Sequence, residues 1–238
     1  MDKKSIIIVI LFLAIVGLSI SAYQLYVSTS QNVTTGEHNV LVLCTDPSEG
    51  RPGMGAVDMA FIIKLNDGNI TQITPVYPGG MIHPTAPVPA YLQSIGESKL
   101  RLHDSLWDND TEKGVKLAQE IVQINTGQKT DVVLVVTVDA VDAALRSIGP
   151  IYVEGLGDVS GNSLQLLRDE QNNGGLSRGD AVQGMMTAIL NTTQNDKSKY
   201  LTLLNVGVNQ YNQGNIYVYP KGAFAQFMIA EGIQKTIS

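Results

Sequence analysis

The sequence is poor in cysteine and in basic residues, and both shortages exclude classes of protein. Its one cysteine, Cys44, rules out an intrachain disulfide bond. Cys44 ends an apolar run that starts at Val40, and this context predicts a thiol packed in a β-strand rather than a nucleophile. The 16 Lys and Arg residues are outnumbered by 22 Asp and Glu residues and form no cluster, which argues against nucleic-acid binding.

A long stretch near the start of the sequence contains no charged residue. Residues 5–26 are mostly apolar or aromatic and are numerous enough to cross the roughly 30 Å of a bilayer's hydrocarbon layer. Lys3 and Lys4 precede this stretch and the next basic residue is Arg51, so the positive-inside rule places residues 1–4 in the cytoplasm. The sequence therefore predicts a single-pass protein of the cell membrane whose C-terminal domain is extracellular.

A cleaved signal peptide is the alternative interpretation of this stretch, because the small residues from Ser19 to Ala22 resemble a cleavage site. The apolar run is longer than a normal signal core, which favours the uncleaved anchor. Residues 27–38 are polar and predict a tether. In both interpretations residues 39–238 are exported, and their number suits one domain with a substantial core.

Apolar runs and helical patterns alternate along the exported part. The predicted strands span residues 39–44, 59–65, 69–75, 131–138, 151–153 and 216–219. The predicted helices span residues 111–126, 139–148, 163–170, 177–191 and 222–235. Asp67-Gly68, between the second and third strands, is typical of a hairpin turn because glycine accepts a positive φ. The alternation predicts an α/β fold, a three-layer α/β/α sandwich with a central mixed sheet, preceded by one N-terminal transmembrane helix.

Two aspartates stand at the ends of neighbouring predicted strands, where α/β sheets usually bind their ligands. Asp46 follows the first strand and Asp58 immediately precedes the second. Two carboxylates in such a place can bind Mg²⁺, which prefers oxygen ligands and often pairs few carboxylates with substrate phosphates. Between them, residues 50–55 are rich in glycine, which lets a backbone approach a ligand, and Arg51 adds a positive charge. The alternative is a loop whose aspartates cap turns.

The segment from Asn39 to Asp46, followed by Asp58 at the head of an apolar strand, resembles the LytR-CpsA-Psr family. Members of that family have one N-terminal membrane helix and an extracytoplasmic α/β domain. They transfer glycopolymers from a polyprenyl-pyrophosphate carrier onto the cell wall, using Mg²⁺ and several arginines. The resemblance implies that membrane lipid, a polyprenyl-linked glycan and a cell-wall polymer are the partners of this chain.

Several residues fall where that family has functional ones. The resemblance implies Mg²⁺ ligands at Asp46 and Asp58, and catalytic roles for Asp58 and Arg168. Arg168 stands at the first position of the family's Arg-x-Arg pair, and Leu176-Ser-Arg178 resembles its Leu-Gly-Arg. The residues that the resemblance implies for substrate binding are Arg51, Arg101, Arg168, Arg178 and Gln183.

The sequence departs from the family pattern at three arginine positions. Ala56 replaces the arginine expected shortly before Asp58, and Glu170 replaces the second arginine of the Arg-x-Arg pair. The Pro-Arg-Asp expected after the third strand is replaced at residues 75–79. Guanidinium groups normally meet the charge of a pyrophosphate, so their loss weakens both its binding and the stabilisation of its leaving charge. Three functions stay open: a Mg²⁺-dependent glycopolymer transferase, a lipid- or glycan-binding scaffold without that chemistry, and a purely structural surface protein.

Two phrases, GRPGMGAVDMAF and YPGGMIHPTAP, also resemble a related branch of membrane-anchored proteins of unknown function, found notably in methanogenic archaea. The second phrase lies in a proline-rich loop, residues 75–89, whose length predicts a functional role. His103 and Asp104 form a possible acid-base pair, although adjacent side chains point apart and need not act together. Trp107 and Tyr91 are interpreted as packing residues, with the wall of a lipid groove as the alternative.

Overall fold

The computed structural model describes residues 35–163 and 178–227, which form a mixed α/β fold with a central mixed sheet. Its strands are β1 (Glu37–Asp46), β2 (Ala56–Asn66), β3 (Asn69–Val76), β4 (Val132–Thr137), β5 (Ile151–Val153), β6 (Gly157–Val159) and β7 (Ile216–Tyr219). Its helices are α1 (Ala90–Ser94), α2 (Thr111–Thr126), α3 (Val138–Ile148), α4 (Arg178–Asn195) and α5 (Lys197–Asn212). Short 3₁₀ turns span Pro47–Glu49, Pro78–Gly80 and Leu102–Asp104, and a further helix begins at residue 222.

The central sheet has the strand order β3-β2-β1-β4-β7. The strands β1 and β4 pair in parallel, whereas β1 with β2, β2 with β3, and β4 with β7 pair antiparallel. The strands β5 and β6 form a separate antiparallel pair. The predicted mixed sheet is therefore confirmed, and its parallel pair defines one edge at which the carboxyl ends of two strands meet.

The turn between β2 and β3 follows the rule for tight hairpins. Asp67 and Gly68 both have positive φ, 47° and 77°, which matches the twist that a two-residue hairpin turn requires. The Asp67 carboxylate also accepts a 2.8 Å hydrogen bond from the backbone N–H of Gly36. The predicted hairpin is confirmed, and its contact with Gly36 joins it to the start of β1.

Alternate residues of β1 pack against helices on opposite faces of the sheet. Leu41 and Leu43 are fully buried on one face, and Val42 is buried on the other. The first face is covered by the α2 residues Val115, Ala118, Ile121 and Val122. The second face is covered by the α3 and α4 residues Leu145, Ile148, Ala181, Val182 and Met185. This strand is apolar on both sides because it has helices on both sides.

Capping residues define the helix next to the candidate site. The α2 helix begins after Asp110, whose carboxylate accepts a 3.0 Å hydrogen bond from the N–H of Lys113. It ends at Gly127, which adopts the left-handed conformation with φ of 72°. The predicted bounds of this helix and its terminal glycine are both confirmed.

The α5 helix is the main element that the sequence patterns did not predict. It begins after Asp196, whose carboxylate accepts hydrogen bonds from the N–H groups of Ser198 and Lys199 at 2.9 and 3.1 Å. Its apolar residues are not concentrated on one face, so the sequence shows no apolar stripe that would mark it as a helix, and none of its residues is fully buried. The α4 helix also runs to Asn195, beyond its predicted end at residue 191.

Five predicted segments lie wholly or partly outside the described residues. They are the cytoplasmic N-terminus at 1–4, the membrane anchor at 5–26, the tether up to residue 34, the helix at 163–170 beyond its first residue, and the part of the last helix after residue 227. Among the residues that the structure does describe, no helix is both long enough and apolar enough to span a bilayer.

Candidate functional site

The candidate site lies where β1 ends and β2 begins. Asp46, the last residue of β1, pairs with Ala56, the first residue of β2, and a bulge interrupts the register next to them. Thr45 also pairs with Thr137 at the end of the parallel strand β4. This edge therefore carries the carboxyl ends of the parallel strands, which is where α/β sheets usually bind ligands.

Two glycines hold the loop between β1 and β2 against its neighbours. A side-chain carbon at Gly53 would collide with the backbone carbonyls of Leu106 and Asp108, and one at Gly55 would collide with the carbonyl of Asp46. The N–H of Gly53 donates a 2.9 Å hydrogen bond to the carbonyl of Trp107. The glycine-rich loop thus packs on the segment around residues 102–108 through close backbone contacts.

Asp46 is buried at the base of this loop. Its carboxylate accepts a 2.8 Å hydrogen bond from the N–H of Ser48 and so caps the 3₁₀ turn Pro47–Glu49. This geometry matches the turn-capping role that was the alternative to metal binding. Whatever else it contacts, Asp46 fixes the turn that carries Glu49.

Three potential metal ligands converge just above that turn. One ligand atom each from Glu49, Asp58 and His103 lies within 4.8 Å of the other two. Asp58 and His103 are half-buried and Glu49 is exposed, so the group opens to solvent. The predicted ligand Asp58 belongs to this group, whereas its predicted partner Asp46 does not.

Arg51 contacts two members of the cluster, Glu49 and His103. Its Nη1 donates to the Asp104 carboxylate at 2.7 Å, and its Nη2 lies 2.9 Å from the Glu49 carboxylate. The same Nη2 donates to Nε2 of His103 at 2.8 Å. The side chains of Arg51 and Asp104 are only 7% and 6% exposed, so this is a nearly buried ion pair. The Arg51 guanidinium is therefore engaged by protein groups on several sides.

The same network assigns the tautomer of His103. A guanidinium has donors only, so Nε2 of His103 must be the acceptor of the bond from Arg51. The ring proton is then on Nδ1, which donates to the carbonyl of Val57 at 3.0 Å. In this arrangement neither ring nitrogen offers a lone pair to a metal. The remaining donors are the carboxylate oxygens of Glu49 and Asp58, and such donors suit a hard cation such as Mg²⁺.

A cavity of about 270 Å³ opens beside Asp58. It is lined by residues 58–61 of β2 and by residues 75–80, which include the end of β3 and the start of the proline-rich loop. Tyr77 in its wall is largely exposed. Asp58 thus belongs to the potential cation site and also lines an open cavity.

Arg101 stands near this cavity. It forms a salt bridge with Glu97 at 3.0 Å and has a long 3.5 Å contact with the carbonyl of Gly79, which lines the cavity. Its side chain is 43% exposed. Two of the predicted substrate-binding residues, Arg51 and Arg101, therefore lie near Asp58. Each of them is already paired with a carboxylate.

The other predicted substrate-binding residues are placed less fully. Arg168 lies outside the described residues. Arg178 is the first residue of α4, and Gln183 is an exposed residue of that helix. Their roles stay predictions.

Cys44 behaves as its place in β1 predicts. Burial raises the pKa of its thiol to about 12, and the negative charge of Asp58 adds to this effect. A thiol with that pKa is protonated at neutral pH and is a poor nucleophile. Cys44 is a partly buried residue that packs against the core on the second face of the sheet.

The sequence reasoning missed Glu49, and it named His103 and Asp104 only as a possible acid-base pair that need not act together. In the structure both of these neighbours contact the same guanidinium of Arg51, so they belong to one network. The histidine stands out as one of only three in the chain. Nothing in the sequence around Glu49 marks it as part of a site.

Comparison with solved structures identifies proteins that have a similar fold. Similar solved structures include TagV of B. subtilis, with 13% identity, a TM-score of 0.54, and coverage of 81% of this chain and 78% of that protein. The protein gbs0355 of Streptococcus agalactiae has 15% identity and a TM-score of 0.52, with coverage of 81% and 72%. The neighbours include proteins of the LytR-CpsA-Psr family, so the predicted likeness to that family holds at the level of the fold.

No curated protein matches the chain. A sequence model of the family described as "Protein of unknown function (DUF4012)" matches residues 35–171. Because this match covers more than half of the sequence, the chain belongs to the DUF4012 family.

Proposed function

We propose that this protein binds a polyprenyl-phosphate-type glycolipid of the cell envelope, and that it does so at Asp58 through a divalent cation. The observation that carries the proposal is the position of Asp58. Its carboxylate lies with that of Glu49 at the carboxyl edge of the parallel strands, and Asp58 is also one of the residues that line an open cavity. The fold shared with LytR-CpsA-Psr proteins supports a role with envelope glycopolymers. Anchoring by residues 5–26, an extracellular domain and a place in the methanogen branch are parts of the same proposal.

The charges around Asp58 support a cation-dependent mode of binding. Arg51 is neutralised by Asp104 and Glu49, and Arg101 by Glu97. A diphosphate that approached this edge would therefore meet carboxylates, and the two described arginines near Asp58 already have carboxylate partners. A bound Mg²⁺ would offset the repulsion between these carboxylates and the diphosphate, because Mg²⁺ is commonly held by one or two carboxylates together with phosphate oxygens of the ligand. Asp58 and Glu49 would hold the ion, and Asp46 would fix the turn beneath them.

Transfer of the glycan to a cell-wall polymer is the second candidate function. It requires positive charge at the reacting pyrophosphate, whose phosphoanhydride bond breaks when the phosphorylated glycan is transferred; bound Mg²⁺ supplies part of that charge and arginines normally complete it. In this chain the family's arginine before Asp58 is Ala56, and Arg51 already has protein partners. Arg168 and Arg178 are the arginines left for that role. The pairing of Arg51 favours binding over transfer as the principal function.

The test is a binding measurement on the full-length protein in lipid nanodiscs. We expect decaprenyl diphosphate to bind in the presence of Mg²⁺ and to bind at least about tenfold more weakly after chelation with EDTA, since an uncompensated charge is then left in the site. The Asp58→Asn variant should lose this Mg²⁺ dependence. Asp158→Asn is the matched control, because Asp158 is an exposed aspartate on the separate strand β6.

Equal affinity with and without the chelator, or equal Mg²⁺ dependence in the Asp58→Asn variant, would refute the proposal. The same preparation also tests transfer, with a prenyl-diphosphate-linked oligosaccharide as donor and isolated envelope polymer as acceptor. In phosphoglycosyl transfer the glycan moves to the acceptor with its phosphate, so release of prenyl phosphate that wild type supports and Asp58→Asn does not would establish the second function.

A further inference from the structure

Next to the Asp58 cluster, three side chains form a column that ends at the protein surface. The guanidinium carbon of Arg51 lies 5.3 Å from the ring centroid of Trp107. The Trp107 ring stacks on Tyr91, with 5.5 Å between centroids and 17° between planes. Tyr91 is 62% exposed. The column thus runs from the buried arginine of the site to an aromatic ring in solvent.

The residues that carry the column are anchored in the hydrophobic core. Tyr91 belongs to the short helix α1, which is anchored by the buried side chains of Val88 and Leu92. The backbone of Trp107 is fixed at both ends: its N–H donates to the carbonyl of Asp104 at 3.1 Å, and its carbonyl accepts from Gly53 at 2.9 Å. The exposed ring is therefore presented in a defined orientation, which lowers the entropic cost of binding something to it.

We propose that Tyr91, supported by Trp107, is a glycan-binding platform on which a pyranose ring stacks. Aromatic rings carry a negative face, and the C–H groups on the flat side of a β-linked pyranose present a slightly positive apolar surface to it. The exposed carboxylate of Asp108, next to Trp107 in the chain, offers an acceptor for sugar hydroxyl groups. This inference rests on the proposed function in one respect, since it takes the sugar to be part of the lipid-linked glycan.

A chain of contacts joins the platform to the potential cation site. Asp58 lies 3.9 Å from Nδ1 of His103, whose Nε2 lies 2.8 Å from Arg51, and Arg51 contacts Trp107. The platform is therefore linked to Asp58 through three intervening side chains, those of His103, Arg51 and Trp107. In this proposal the phosphate lies at Asp58 and one of the sugars of the same glycan lies on Tyr91.

A membrane surface is the other ligand that an exposed tyrosine suits. Ile95, at the end of α1, is exposed as well, and such a pair can enter a lipid interface. Interfacial binding to anionic lipid normally relies on adjacent basic residues. Here the carboxylates near the platform, Glu49, Glu97 and Asp108, are each paired with a basic group, Arg51, Arg101 and Lys113 respectively. These pairs leave no excess of positive charge in this part of the described structure, which favours a neutral, hydroxyl-rich ligand over an anionic membrane surface.

Tryptophan fluorescence provides a direct test, because Trp107 is the only tryptophan in the chain. The full-length protein is titrated with chitotetraose, cellotetraose and maltotetraose, with calorimetry as a second readout. We expect at least one β-linked tetrasaccharide to bind and to change the emission of Trp107. The Tyr91→Ala variant should bind about threefold to tenfold more weakly, the loss expected for one aromatic contact. Tyr91→Phe, which keeps the ring, and Tyr152→Ala, which removes an exposed tyrosine on β5, should bind as wild type does.

Three results would overturn the platform: no binding of any of the tetrasaccharides, equal binding by Tyr91→Ala, or a loss in Tyr91→Phe as large as in Tyr91→Ala. Tyr91-dependent binding to phosphatidylglycerol vesicles in place of the sugars would assign the surface to the membrane instead. The tetrasaccharides carry no phosphate, so chelation of divalent cations with EDTA should leave their binding unchanged. A failure of cation-dependent lipid binding is thereby distinguished from a failure of the platform.

Discussion

The guanidinium of Arg51 donates a 2.7 Å hydrogen bond to the carboxylate of Asp104, and both side chains are more than nine-tenths buried. This ion pair connects the glycine-rich loop after β1 to the 3₁₀ turn that carries His103. The two segments are far apart in the sequence and have no strand pairing with each other. The pair and the backbone contacts of the loop are therefore what positions Glu49 beside Asp58.

Removing Asp104 should be costly for stability. In the Asp104→Ala variant the Arg51 charge loses its closest partner inside the protein, and breaking such a buried pair costs about 3 kcal/mol or more. The matched control is Glu97→Ala, which removes the partner of the much more exposed Arg101 and should cost less than about 1 kcal/mol. Urea unfolding measures both free energies. Similar losses in the two variants would mean that the buried pair does not stabilise the fold.

The two tightly packed glycines should be irreplaceable. Gly53→Ala and Gly55→Ala place a carbon against backbone carbonyls, which cannot move aside as a flexible side chain can, and Gly55 also has a φ of 100°. We expect each to lower stability by about 2 kcal/mol or more. Gly79→Ala is the control, because nothing lies within 4 Å of its added carbon and its φ is not positive. Equal melting temperatures for all four proteins would contradict the packing described here.

Local patterns in the sequence were sufficient for most of the fold. The Asp67-Gly68 turn and the α2 helix with its terminal Gly127 depend on neighbouring residues, and both were predicted. The α5 helix was missed because its apolar residues form no buried stripe. The site was predicted only in part for a different reason. Its members come from separate segments of the chain, and no local pattern shows that Arg51 meets Asp104 rather than a phosphate.

The thiol of Cys44 should resist alkylation until the protein unfolds. Its pKa is raised from 9.0 to about 12 by burial and by the charge of Asp58, so the reactive thiolate is scarce up to strongly alkaline pH. Iodoacetamide should modify the native protein slowly between pH 8 and 10, while the urea-unfolded chain reacts faster as pH rises through 9. Mass spectrometry follows the modification. Rapid labelling of the folded protein at pH 8 would show that the thiol is accessible and ionised.

The raised pKa also has a consequence for stability. Below pH 9 both folded and unfolded chains keep the thiol proton, so the contribution of Cys44 to stability is constant. Between pH 9 and about 12 the unfolded chain loses the proton while the folded chain keeps it, and stability falls as pH rises. Cys44→Ala should remove this part of the alkaline loss, measured as the change in urea midpoint between pH 8 and 10. An unchanged slope in that variant would assign the loss to other groups.

The tautomer of His103 leads to a prediction about the metal ligands. Nε2 accepts from Arg51 and Nδ1 donates to Val57, so the imidazole has no lone pair to give while this network is intact. Cation binding should then depend on Asp58 and Glu49. We expect Asp58→Asn to weaken Mg²⁺ binding by about tenfold or more, and His103→Gln, whose amide oxygen can still accept from Arg51, to change it by less than about threefold.

Competition of Mg²⁺ against Mn²⁺, read from the electron paramagnetic resonance signal of free Mn²⁺, measures these affinities without requiring a glycolipid. Asp158→Asn again serves as the control for removing one negative charge. A loss in His103→Gln as large as that in Asp58→Asn would mean that the imidazole is a ligand. Arg51 would then have to release the ring when metal binds, and the mixed nitrogen and oxygen donors would favour Zn²⁺ or Mn²⁺ over Mg²⁺. The two variants therefore decide between an oxygen-only site and a histidine-containing one.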